Sequence, residues 1–88
     1  MYELILRNPA KNFIKNLNDK NRKEIMKKLK LLKQNPQIGK PLIKHLKGLW
    51  SLRYNNYRIV YRIKNMELII EVLDIDHRGN IYDKKFPK

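Results

Sequence analysis

The sequence predicts an α+β fold: a small antiparallel β-sheet with an N-terminal strand, and a two-helix hairpin packed on one face of that sheet. Three observations predict it. Residues Leu49 to Tyr61, LWSLRYNNYRIVY, hold two alternating apolar runs around Asn55-Asn56, and Asn tolerates the positive φ that both central positions of a type I′ hairpin turn require. Between Asn8 and Lys33, apolar residues recur at helical spacing in two successive groups, each forming a single stripe. Glu67 to Ile75 is a further β-like run that extends the hairpin into a three-stranded meander.

In chain order, Tyr2 to Arg7 alternates around Leu4 and Leu6 and is short, which reads as a strand. Asn8-Pro9 supplies an N-cap followed by proline at the first helical position. Ala10, Phe13, Ile14 and Leu17 then fall at i, i+3, i+4 and i+7, the apolar stripe of a short helix. Asn18 or Asp19 caps a second helix from Asn21 to about Lys33, with Ile25, Met26, Leu29 and Leu32 as its buried stripe, and Asn35-Pro36 ends it. Lys23, Lys27, Lys28, Lys30 and Lys33 cover the rest of this helix, a solvated face that also attracts a polyanion at long range. Gln37 to Gly48, punctuated by Gly39, Pro41 and Gly48, reads as a loop carrying Lys40, Lys44, His45 and Lys47, with His45 a surface histidine.

With Asn55 and Asn56 as the turn, Tyr54 faces Tyr57, Arg53 faces Arg58, Leu52 faces Ile59, Ser51 faces Val60 and Trp50 faces Tyr61. Side chains alternate along a strand, so Trp50, Leu52, Tyr54, Tyr57, Ile59 and Tyr61 share one face. Across the turn at Lys64 to Met66, Leu68, Ile70 and Val72 join them, and the helices are the natural cover for that face. The other face carries Arg53 beside Arg58. Like charges directly opposite destabilise a strand pair, so this arrangement requires a neighbouring carboxylate or an anionic ligand. Glu71 falls on the same side as Arg58 and is the local salt-bridge partner to consider. It would neutralise one arginine at most.

The last stretch is DIDHRGNIYDKKFPK. Asp74 and Asp76 share a strand face, but no third ligand lies at a recognisable metal-site spacing. His77-Arg78 ends the strand, Gly79-Asn80 is a turn signal and Tyr82 follows, so a cation, an imidazole and a phenol collect where the sheet ends.

Composition sets the class of partner. A single domain spanning residues 1–88 is expected to bury only roughly 60 to 65% of its unfolded surface. Twenty-one Lys and Arg against eight Asp and Glu leave 21 − 8 = +13, which favours nucleic acid or an acidic protein as partner. A membrane is disfavoured, because no apolar run approaches the roughly 20 residues of a spanning helix, and the N-terminus lacks the apolar length of a signal peptide. The absence of cysteine excludes disulfides and thiolate metal sites. A soluble cytoplasmic protein is the expectation. Lys outnumbers Arg in the chain, yet Leu49 to Tyr82 carries Arg53, Arg58, Arg62 and Arg78 with Lys64 as the exception, as positions needing a planar bidentate donor would.

The segments PLIKHLKGLWSLR, YRIVYRI and DIDHRGNIY, behind a strand and a two-helix hairpin, together resemble the RelE/ParE superfamily of type II toxin–antitoxin toxins, most nearly its RelE-like mRNA interferase branch. The resemblance implies a fold similar to microbial ribonucleases. It implies an endoribonuclease that cuts mRNA in the ribosomal A site, without metal or other cofactor, by 2′-hydroxyl attack that leaves a 2′,3′-cyclic phosphate. By position, Arg58 and Arg78 match the phosphate-stabilising arginines, Arg53 a further basic position, and Tyr82 a tyrosine that stacks on or hydrogen-bonds the substrate. Two lysines of some RelE members fall here at Leu49 and Ser51, and a glutamate of the YoeB-like branch at Lys40. Lys40, Lys44, Lys47 and His77 remain as RNA-binding groups and as candidates for base or acid, with the choice open. The alternatives are a ParE-like toxin that inhibits DNA gyrase without nuclease activity, and a basic RNA-binding module. The partner implied is an acidic RelB-like antitoxin in a heteromeric complex, besides the ribosome and mRNA.

Overall fold

A computed structural model describes residues 1–86, the side chain of Arg78 excepted. Strand β1 (Glu3–Leu6) leads into α1 (Asn8–Lys15) and α2 (Asp19–Gln34), followed by β2 (Lys40–Pro41), β3 (Trp50–Tyr54), β4 (Tyr57–Lys64), β5 (Ile69–His77) and the short α3 (Arg78–Ile81). The five strands lie in the order β1-β5-β4-β3-β2. The meander β3-β4-β5 is antiparallel as expected, while β1 returns to pair with β5 in parallel. This α+β architecture, with both long helices on one sheet face, is the one the apolar patterning predicts.

Local chemistry shifts several boundaries. Helix α1 begins one residue early: Arg7 is the N-cap, its carbonyl accepting from Lys11 N at 2.9 Å, and Asn8 and Pro9 both lie inside the first turn. Asn18 caps α2 as anticipated, its side chain accepting from Asn21 N at 2.8 Å, so this helix starts at Asp19 rather than Asn21. The corner between the helices is tied by Arg22, whose guanidinium donates to the carbonyls of Ile14, Lys15 and Leu17. The first two are carbonyls that the end of a helix leaves without intrahelical donors, and the third lies in the turn that follows. In α2, Ile25, Leu29 and Leu32 are fully buried, but Met26, expected in the same stripe, is exposed.

The hairpin register is the predicted one, residue for residue from Trp50↔Tyr61 to Tyr54↔Tyr57. Its turn uses one left-handed residue, Asn55 at φ 52°, rather than two. Tyr54, Ile59 and Tyr61 are buried against Ala10, Ile14, Ile25, Leu29 and Leu32, with Trp50, Leu52 and Tyr57 packed at the margin. Leu68 departs from the expected face. It sits in the β4–β5 turn at φ 54°, half exposed, and β5 starts after it.

Two features are not evident from strand alternation. Tyr61 pairs with Val72 and Val60 with Asp74, so Leu73 is an extra residue, a bulge in β5. And the second face of the sheet is not a bare polar surface. Leu42, Leu46, Leu49, Val60, Leu73 and Ile81 are buried there, with Phe86 against them. Each such side chain contributes on the order of 1.5–3 kcal/mol on burial, enough to fold the 37–48 segment and the C-terminal segment onto the sheet as a second layer. The expected loop accordingly contains β2 and two single 3₁₀ turns, Pro36–Ile38 and Lys44–Leu46. Among the described residues no helix is long and apolar enough to cross a membrane.

Tyr61 joins sheet and loop. Its hydroxyl donates to Pro36 O at 2.6 Å and accepts from Gly39 N at 3.2 Å. A Cβ at Gly39 would lie 2.5 Å from both Ser51 O and the Tyr61 hydroxyl, so only glycine fits. Burial pushes the Tyr61 phenol up to about 12, against the lowering effect of the Gly39 hydrogen bond. The folded chain therefore holds this proton at pH values where the unfolded chain, with a phenol near 10, has released it. The associated stability is complete below about pH 10 and is lost as pH rises toward 12, at up to about 1.4 kcal/mol per pH unit. Tyr61→Phe is expected to cost about 1–3 kcal/mol near neutrality through two part-buried backbone groups left unpaired, and to flatten the alkaline loss. Urea unfolding of both proteins at pH 7 to 11 checks this; parallel alkaline profiles would show that Tyr61 does not supply the effect.

Candidate functional site

Position 58 is where the fold concentrates charge without neutralising it. In the sheet Arg58 pairs with Arg53 of β3 on one side and Asp76 of β5 on the other. Its Nη1 donates to Ser51 Oγ at 2.9 Å, and its buried Nε has no hydrogen-bond partner among the described residues. The guanidinium carbon lies 6.0 Å from the centre of the Tyr82 ring, at the outer edge of a cation–π contact. Among the described residues no carboxylate pairs with Arg58. Glu71, the expected partner, is cross-strand from Arg62 and is surrounded instead by Arg7, Arg62 and Lys64. Asp76 is turned to Lys84, whose Nζ lies 2.5 Å from both Asp74 and Asp76. The Lys84 hydrogen bond holds the Asp76 carboxyl below its usual range. Burial alone would lower the Lys84 ammonium, but the two carboxylates outweigh it and the net shift is upward.

Asn56, Arg58, His77, Gly79 and Tyr82 line an open depression at this end of the sheet. His77 enters from the helix-covered face, its ring 4.7 Å from Tyr57, which in turn meets Phe13 edge-on at 4.7 Å. The stack holds the imidazole at the rim. Tyr82 follows α3, which Ile81 anchors in the second core. Its carbonyl lies 2.8 Å from His45 Nε2, and since a carbonyl only accepts, that nitrogen carries the proton. Tyr82 as a residue stays 43% exposed, open to a planar ligand.

The structure thus brings Arg58, His77 and Tyr82 to one cleft, with exposed Arg53 beside it. Arg78 opens α3 directly after His77; its side chain lies outside the described residues. Lys40 pairs with Ser51 and so lies on the arginine face, two strands from Arg58. Lys44 and Lys47 are not brought to the cleft. They border a separate groove with Leu46, Leu49, Lys85 and Phe86. Sequence reasoning missed Ser51 as the support of Arg58, and Lys84. The hairpin register already put Ser51 on the arginine face, whereas nothing local to Lys84 signals that the chain folds back over Asp74. Among the described residues no group of three or more His, Cys, Asp or Glu is placed to hold a metal ion.

A guanidinium with one unsatisfied N–H, an exposed aromatic residue and an imidazole are chemically suited to a phosphate joined to a base, and comparison with known proteins places the chain in a family. Residues 4–82 match the family described as the ParE toxin of the type II toxin-antitoxin system, parDE, and the chain belongs to it. It is similar to Toxin RelG of Mycobacterium tuberculosis (strain ATCC 25618 / H37Rv), 41% identical over 46 residues, 52% of this chain and 53% of that protein. It is also similar to Toxin RelE of the same organism, 38% identical over 52 residues, 59% of this chain and 54% of that protein. The chain spans about half the length of these curated relatives. Among solved structures, the toxin-antitoxin complex RelBE2 from Mycobacterium tuberculosis superposes with TM-score 0.78 at 28% identity, over 88% of this chain and 98% of that one. The isolated E. coli RelE toxin shares the fold, with TM-score 0.73 at 20% identity over 94% and 93%.

A side chain kept for a ligand need not stabilise the apo fold. Arg58 faces a like charge and buries an unpaired N–H, so Arg58→Met is expected to match wild-type stability or exceed it by up to about 1 kcal/mol. Urea unfolding at pH 7 checks this. A loss larger than 1 kcal/mol would assign Arg58 a structural role.

Proposed function

We propose that the chain is an endoribonuclease toxin that cuts mRNA in the ribosomal A site, and that the cleft around Arg58 is its catalytic surface. The observation that supports this reading is the half-buried guanidinium of Arg58, unpaired at Nε, beneath the exposed Tyr82 ring. In the proposed reaction the 2′-oxygen attacks phosphorus and the P–O5′ bond breaks. A base takes the 2′-hydroxyl proton, an acid protonates the leaving 5′-oxygen, and the products are a 2′,3′-cyclic phosphate and a 5′-hydroxyl. Arg58, with Arg78 from the start of α3, stabilises the charge that builds on the phosphoryl oxygens. Tyr82 stacks on a base flanking the cut, and Arg53 steers the backbone. His77 is the proton carrier best placed at the cleft, Lys40 lies farther off across β3, and Lys44 and Lys47 serve in electrostatic attraction. By analogy with the toxin–antitoxin complexes among its structural relatives, the inhibitor is an antitoxin, and the +13 charge suits an acidic chain that orders on binding.

A specific observation favours a second reading: the matching family is described by ParE, and the positions of the two lysines of some RelE members hold Leu49 and Ser51. On that reading the toxin inhibits DNA gyrase and cuts no RNA. Toe-printing of an mRNA on translating ribosomes separates the two. The endonuclease reading expects A-site cuts that fall about 10²- to 10³-fold in rate in Arg58→Ala, the scale of losing one transition-state donor, and by about 10²- to 10⁴-fold in His77→Ala if it moves a proton. Absence of cuts together with inhibition of gyrase supercoiling by the wild-type protein would replace it with the second reading.

A further inference from the structure

We propose that Lys84 is a positioning residue for the anion site: by holding Asp74 and Asp76 it keeps Asp76 from neutralising Arg58. This rests on the reading of the cleft as a phosphate site. Directly cross-strand side chains stand about 4.5–5.5 Å apart at Cβ, and Asp76 is the cross-strand neighbour of Arg58. An aspartate and an arginine at that separation ordinarily pair. Here they do not. Asp76 Oδ2 is 2.5 Å from Lys84 Nζ, and its Oδ1 accepts from His77 N at 2.7 Å and Asn80 Nδ2 at 3.4 Å, so both carboxylate oxygens are engaged on the α3 side. Lys84 is anchored in turn by Asp74, a buried carboxylate whose other oxygen accepts from Ile75 N at 2.8 Å. Among the described residues Arg58 is left with Ser51 Oγ and the Tyr82 ring, and with an N–H that none of them satisfies. A phosphate oxygen supplies what that N–H lacks. The arrangement makes Lys84 a cation that acts ten residues from its acceptor Asp74 and never needs to touch the ligand.

The rival account is that Lys84 only fastens the C-terminal segment, and a rescue experiment separates the two. Asp74→Asn serves as the parent, because it retains the acceptor for Ile75 N and leaves no buried carboxylate unpaired once Lys84 is removed. In this parent, Lys84→Met frees Asp76 to turn toward Arg58, and Lys84→Met with Asp76→Asn removes the competitor again. Binding of a 2′-O-methyl RNA oligonucleotide, which cannot be cut, is measured by fluorescence anisotropy at fixed salt, with thermal scans confirming folding. Lys84→Met is expected to weaken binding about tenfold, as Arg58→Ala does, the scale of one charge-assisted hydrogen bond. Adding Asp76→Asn is expected to restore affinity to within about threefold of the parent. Equal weakness with and without Asp76→Asn would mean that Lys84 only fastens the segment, and unchanged binding in Lys84→Met would overturn the proposal outright. Unchanged binding in Arg58→Ala instead marks failure of the phosphate-site reading itself. Asp76→Asn in the otherwise wild-type chain, where Lys84 still holds Asp74, is expected to bind at least as tightly as wild type; weaker binding would count against the proposal even if the Lys84 variants fail to fold.

Discussion

One extra residue in β5 governs both the core and the cleft. Without a bulge at Leu73, strand alternation would set Val60 against Leu73, Ile59 against Asp74 and Arg58 against Ile75. A carboxylate would then point into the helix-covered core, where an isolated charge is prohibitive, and Arg58 would have an aliphatic neighbour. The bulge resets the parity. Ile70 and Val72 before it, and Ile75 after it, all face the helices, while Leu73, Asp74 and Asp76 turn to the second face. Leu73 helps build the second core, and Asp74 and Asp76 become available to a cation from the C-terminal segment. Bulges recur beside functional sites because they re-aim side chains without breaking a sheet, and this one aims two carboxylates at Lys84 rather than at the helix-covered core.

The allocation of carboxylates follows from that geometry. With eight acids against twenty-one bases, each carboxylate has several cations to choose from, and its position in the sheet decides which one it meets. Glu71 sits among Arg7, Arg62 and Lys64, and its burial makes that company a requirement. Asp74 and Asp76 go to Lys84. Every acid on the second face of β5 is thus engaged by a cation other than Arg53 or Arg58. The two arginines that oppose each other across the hairpin are left without a carboxylate partner among the described residues, and the local instability of that pair is what an anion would relieve.

Much of this was legible from residue order. The hairpin pairing followed from Asn55-Asn56 and from strict alternation on either side, because a one-residue slip would have turned Tyr54, Ile59 and Tyr61 to the wrong face. The helices followed from stripes at i, i+3 and i+4. Arg53, Arg58, Arg62 and Arg78 stood out by their contrast with a lysine-rich background, and His77, Arg78 and Tyr82 by their position where the sheet ends. What sequence order did not carry was long-range closure. The parallel return of β1 to β5, the second core under Leu42, Leu46 and Ile81, and the fold-back of Lys84 depend on segments distant in sequence meeting across the sheet. The bulge was hidden for a different reason: Val72-Leu73 reads as two apolar residues on opposite faces of a regular strand, and only the partner register shows that one of them is unpaired. The partnership of Glu71 was misjudged for the same reason, since a shared face does not specify which cross-strand neighbour is met.

The placement of Tyr82 shows how these parts meet at the cleft. An aromatic ring on a short C-terminal element would ordinarily be fixed by burying the ring, which would remove it from use. Here the fixing is done by its neighbours. Ile81 is buried in the second core, the Tyr82 carbonyl is held by His45 from the 37–48 segment, and Lys84 is held by Asp74 and Asp76 two residues later. Three anchors around one residue leave its side chain as the exposed group on a restrained backbone, so a ligand that stacked on it would cost less backbone freedom. The second core, absent from a reading based on alternation alone, is therefore the support that holds an aromatic face over an unneutralised guanidinium.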